Sequence, residues 1–115
     1  METAFAKGLA LLEAGEYFAA HEALETAWRA AGADERDFFQ GLVHVAVAWY
    51  QAGRGRRVGC ERQLAKAARR LEPFAPEHRG VDVAAVLRQL EAARWPTLAP
   101  LVLHHVRGQT PDPPA

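Results

Sequence analysis

The stretch ERDFFQGLVHVAVAWYQA, residues 35–52, decides the architecture. Phe38, Phe39, Leu42, Val43, Val45, Val47, Trp49 and Tyr50 would put apolar side chains on nearly every side of one helix. A helix that is hydrophobic all round belongs among other helices rather than at a surface. Residues 35–52 therefore predict the central helix of an all-α bundle.

Working outward, Phe5, Leu9 and Leu12 repeat at helical spacing in residues 2–14, and Gly15 ends that helix. Residues 16–31 carry Tyr17, Ala20, Leu24, Ala27, Trp28 and Ala31 on one stripe and stop at Gly32, with Asp34 as the expected cap of the central helix. Beyond the glycine-punctuated turn at residues 54–57, a fourth helix over 58–71 turns Leu64, Ala67, Ala68 and Leu71 inward. Pro73 and Pro76 end it. A fifth opens at Asp82 and runs to about Arg94, burying Val83, Val86, Leu87 and Leu90 before Pro96. Leu101, Val102 and Leu103 are expected to pack in extended form, ahead of a disordered Pro-rich tail at 109–115. There is no sustained two-residue alternation and no Asn-Gly or Asp-Gly turn to suggest strands. The expectation is a single compact bundle of about five helices, one domain over residues 1–108.

Composition agrees. Of 115 residues, 50% are hydrophobic and 24% charged, which suits one packed domain and argues against a disordered chain. The single cysteine, Cys60, excludes an internal disulfide framework and a multi-cysteine zinc site. It is expected as a packing residue. The N-terminal apolar run is broken by Lys7 and Glu13, unlike a signal peptide, and no apolar stretch reaches the length of a membrane span. A cytoplasmic setting without a membrane follows as the expectation.

Fourteen basic residues balance fourteen acidic ones, so no global charge draws the chain to nucleic acid. The distribution is uneven: residues 1–35 carry seven acids and two bases, residues 54–70 seven bases and one acid. The simplest reading packs these segments near each other; the other is an anion-binding face. The basic stretch lacks interleaved aromatics and any motif that reads bases, so a protein-binding surface is the better expectation for it. Phosphate loops, dinucleotide fingerprints and nucleophile elbows are also missing.

The informative polar residues lie on helices that otherwise want burial. On the second helix, His21, Glu25 and Trp28 share a stripe flanked by Glu22 and Arg29; on the third, Gln40, His44 and Gln51 share a face. A short connection makes these helices antiparallel neighbours. A turn near Asp34 would then set Trp28 by Phe39 or Gln40, Glu25 by Leu42 or His44, and His21 by Ala46. Gly41 would let the two helices approach closely. His21, Glu25, Trp28, Arg29, Gln40 and His44 are thus the expected polar cluster between helices two and three.

Three readings of that cluster stay open. Buried polar groups demand partners, so it can be a hydrogen-bonded network that fixes register. It can be a site for a divalent transition metal held by His21, Glu25 and His44, with Glu22 as a general base on bound water in a metal-dependent hydrolase. His21-Glu22 begins the HExxH pattern of zinc proteases, but Glu25 replaces the second histidine, leaving HExxE. The third is a small-ligand pocket lined by Trp28, Trp49 and Tyr50. The adjacent His104 and His105 lack a rigid scaffold in a Pro-rich tail.

The block GEYFAAHEALETAWR (residues 15–29), followed by FFQGLVHVAVAWY (residues 38–50), resembles the bacterial "domain of unknown function 309" family of small helical proteins. In the first block, Gly15, Tyr17, Phe18, Ala20, His21, Glu22, Leu24, Glu25 and Trp28 fit the family pattern. Gln40, Gly41, Leu42, Ala46, Val47, Ala48, Arg54, Gly55 and Gly59 fit a second block. The resemblance spans roughly residues 5–72. His44 stands where that pattern has a glutamine, and Gln51 near where it often has a histidine, so histidine and amide are exchanged along one helix face. Arg56 replaces an asparagine and Cys60 an alanine. The resemblance implies an all-helical fold and a cytoplasmic setting, and no particular activity. Function is therefore expected to be that of a binding or interaction module, through a homodimer or another protein partner, with the metal-dependent hydrolase as the alternative.

Overall fold

The computed structural model describes residues 2–103; the tail at 109–115 and the pair His104–His105 lie outside the described residues. The chain is all-α. The described residues form five α-helices, α1 (Glu2–Glu13), α2 (Tyr17–Ala30), α3 (Arg36–Gly53), α4 (Arg57–Leu71) and α5 (Val83–Ala92), with a 3₁₀ turn at Glu72–Phe74. Among the described residues there is no strand, only isolated bridges at His78–Val81 and Arg94–Thr97.

α3 is the central element, as its all-round hydrophobicity predicts. It packs on α2 along one side and on α4 along another, while α2 in turn packs on α1 and α4 on α5. Phe38, Phe39, Leu42, Val45, Ala46 and Ala48 are completely buried. Phe38 meets the rings of Phe5, Phe39 and Phe74 at 6.0, 5.4 and 5.5 Å, joining α1 and the 3₁₀ turn to one aromatic core.

α5 begins as expected: the Asp82 carboxylate accepts a hydrogen bond from the Ala85 amide at 2.9 Å. The start of α3 differs. Its cap position is Glu35, not Asp34, and makes no side-chain capping bond. The Glu35 carboxylate instead accepts from His78 Nε2 and Arg79 Nε, both at 2.8 Å. The first bond and then the second hold that carboxyl below its ordinary range. Arg79 (φ 52°) and Gly80 (φ 79°) form the left-handed centre of a two-residue turn between His78 and Val81. Arg79 would not adopt that backbone unaided. Its guanidinium lies over Phe39 and Phe5, 5.3 and 5.8 Å from the ring centroids, which with Glu35 fastens the turn to the core.

Residues 101–103 pack in extended form: Leu101 and Leu103 are buried and Val102 between them is exposed. The Gln89 amide closes both backbone groups of Val102, at 2.7 and 2.9 Å. The acidic and basic segments, however, are not packed against each other. Acidic α2 and basic α4 are both seated on α3.

Candidate functional site

From Phe38 to Trp49 every residue of α3 is buried except Gln40, His44 and Val47. With Gln51 these form a strip at spacings of four, three and four residues, one face of a helix. Two seams border the strip. On one side α2 runs antiparallel to α3: Arg36 lies over the Trp28 ring at 4.6 Å, and Phe18 meets Tyr50 at 5.6 Å. On the other, Asp37 pairs with Arg70 at 2.6 Å and His44 with Gln63 at 2.6 Å. There Gly41 faces Leu71, and Gly59 faces Gln51. The seams stand about 100° apart around α3, the turn made by a single residue. A groove with α2 and α4 as walls and the polar strip as floor results.

At its His21 end the register between α2 and α3 is within a residue of the one expected, since His21 shares a cavity of about 170 Å³ with Phe18, Val47, Tyr50 and Gln51; at the other end Arg36, not Phe39 or Gln40, lies on Trp28. The convergence of side chains is not the one expected. His44 bonds to α4 through Gln63, whereas Glu25 stays on α2 between His21 at 3.8 Å and Arg29 at 3.5 Å. Among the described residues no three histidine, cysteine, aspartate or glutamate side chains come together to hold a metal ion, so His21, Glu25 and His44 do not form the ligand set considered above. The reason is angular: His44 is one residue past Val43 and is turned away from α2 toward α4. Glu22, the candidate base, is exposed on α2 and has no histidine partner among the described residues.

The three aromatic residues of the ligand-pocket reading also separate. Trp49 is buried and donates its indole N–H to the Ala99 carbonyl at 2.9 Å. Trp28 lies under Arg36; its buried indole N–H has no acceptor among the described residues. Tyr50 alone belongs to the groove, beside Phe18 and beneath Arg54, 5.7 Å from its ring. Cys60 is buried, and burial raises its thiol pKa, which fits a packing role.

Sequence reading missed two parts of this site. Phe18, 52% exposed, lies off the apolar stripe of α2, its ring tilted beside that of His21 at 5.8 Å. Its position off the stripe was the available signal. The α4 wall of Gln63, Lys66 and Arg70 had no signal, because nothing in the chain says which face of α3 receives α4.

The chemistry of the floor centres on His44. A carboxamide oxygen only accepts, so Nδ1 donates to Gln63 and Nε2 keeps its lone pair. Burial lowers the His44 pKa; the bond to Gln63 opposes this, and the charges of Lys66, Arg70 and Arg69 reinforce it. Because the folded value lies below the unfolded one, this group's stabilisation is complete above the unfolded value of about 6.5 and lost as pH falls through the lower folded value. Urea midpoints measured from pH 8 to pH 5 should therefore fall across the acidic half in the native chain. They should fall less steeply in His44→Gln, whose amide still donates to Gln63. Equal slopes would contradict this assignment.

A model of the family described as domain of unknown function (DUF309) matches residues 5–63, a little over half of the chain. The chain belongs to the DUF309 family. The matched region ends at Gln63, so it takes in α2, the whole α3 strip and the first part of the α4 wall. No curated protein and no solved structure matches the chain. Within this DUF309 protein, no helix among the described residues is long and apolar enough to cross a membrane.

Proposed function

We propose that this DUF309 protein is a protein-interaction module whose working surface is the groove over α3. The observation that carries this reading is the partly buried strip along an otherwise buried central helix, with the half-exposed Phe18 ring at its end. A phenylalanine kept at the surface beside imidazole and amide side chains suits a polypeptide partner, which offers both an apolar anchor and backbone hydrogen-bonding groups. The enclosed part of the groove, about 170 Å³, falls short of the roughly 300–1,000 Å³ typical of small-molecule sites.

A displayed library of random peptides, selected against the native chain, tests the proposal. Enriched peptides should lose about tenfold or more in affinity on Phe18→Ser, equivalent to roughly 1.4 kcal/mol, and keep it on Arg88→Glu, a substitution on α5. Peptides indifferent to Phe18→Ser would contradict it.

A further inference from the structure

We infer that the partner of this groove is a second copy of the same chain, seated groove to groove about a two-fold axis parallel to α3; the inference rests on the interaction-module reading.

The two walls carry opposite charge. Glu22 on α2 and Glu16, at the cap position just before it, are exposed and have no basic partner among the described residues. On α4, Arg62, Lys66 and Arg69 are exposed and have no acidic partner among them. Both walls run in the same direction against α3, since Phe18 stands by Tyr50 and Gly59 by Gln51 at one end. One turn further along, Glu22 on one wall is therefore level with Arg62 and Gln63 on the other.

Symmetry then selects the axis. Rotation about a line parallel to α3, lying in the plane of contact, keeps each residue at its own level and exchanges left for right. The acidic wall of each copy meets the basic wall of the other, twice, because a two-fold interface repeats every contact. An axis across α3 would set acid against acid. The first arrangement also covers Phe18 with the first turn of α4 of the other copy. The same pairing explains why two oppositely charged segments of a neutral chain sit on separate seams of α3 and not on each other.

Light scattering and sedimentation of the full chain should show a particle of about 25 kDa, twice the 12.6 kDa chain, that dissociates at lower protein concentration and higher salt. Arg62→Glu with Lys66→Glu makes both walls acidic; Glu16→Lys with Glu22→Lys makes both basic. All four positions are exposed, so each variant should keep its thermal midpoint. Each variant alone should be monomeric, and an equimolar mixture should recover the dimer mass. Dimers in both separate variants, or a mixture that stays monomeric, would overturn the inference. A native chain that stays monomeric up to sub-millimolar concentration while selected peptides still need Phe18 would overturn it and leave the interaction-module reading intact. A monomer with no Phe18-dependent peptide binding would remove both.

Discussion

Phe38→Ala should cost about 3–5 kcal/mol, a large share of the 5–15 kcal/mol that holds a typical domain together. Phe38 is completely buried and meets Phe5, Phe39 and Phe74 within 6.0 Å, with the His78 ring at 4.6 Å. Removing the ring would open a void where α1, α3 and the segment after α4 join. Dense packing around α3 limits how far the neighbours can close it. Each kcal/mol moves the midpoint by roughly 4–8 °C in a domain near this size, so thermal unfolding should drop by more than 10 °C. Phe38→Leu should recover much of the loss. A change below about 1 kcal/mol for the alanine variant would mean that the aromatic core does not join these elements.

Gly41→Val should be the second severe substitution, by overpacking and not by a cavity. A Cβ at Gly41 would stand 2.6 Å from Leu71 Cγ and 2.7 Å from Leu71 Cδ2, and 3.2 Å from Arg70 Cβ. Leu71 is itself fully buried. Forcing α3 and α4 apart should cost about 1–3 kcal/mol in net terms, because valine, itself a poor helix former, regains only about 0.3–0.5 kcal/mol of helix propensity over glycine. Coupling to Leu71→Ala identifies the cause: the double variant should be more stable than the sum of the single losses implies. Strict additivity, or a stabilised Gly41→Val, would contradict the close approach. Widening this seam would also move Gln63 and Arg70 relative to His44, so the groove should lose its peptide partners along with stability.

These two positions show what the chain's pattern reveals and what it conceals. The central place of α3 is legible because no amphipathic surface helix carries Phe38, Leu42, Val45 and Trp49 on so many sides. The antiparallel register of α2 and α3 is legible because a short connection leaves little choice, and His21 sits beside Val47 where Ala46 was expected. The alternation at residues 101–103 and the Asp82 cap are local and were equally readable. Gly41 and His44 were assigned to the α2 seam, and both face α4. Periodicity says that residues share a face; it does not say which neighbour takes that face, because that is settled by packing between distant segments. The Glu35, His78 and Arg79 cluster was invisible for the same reason, its members lying 43 and 44 residues apart in a loop without period. The metal reading failed at this step: each ligand type was present, but a single-residue rotation of about 100° set His44 on a different seam from Glu25.

A larger cavity, about 470 Å³, lies between α4 and α5, lined by Leu64, Ala68, Leu87 and Leu90 with Glu72 and Glu91 at its edge. It is the natural rival to the groove as a working surface, and the two lie on different sides of α4. The decisive measurement is therefore a map: amide resonances of the uniformly labelled native chain, followed while a library-selected peptide is added. Shifts centred on Phe18, His21, Gln40, His44, Val47 and Gln51 are the predicted result. Shifts centred on Leu64, Ala68, Leu87 and Leu90, with the α3 strip unmoved, would contradict the assignment of function to the groove.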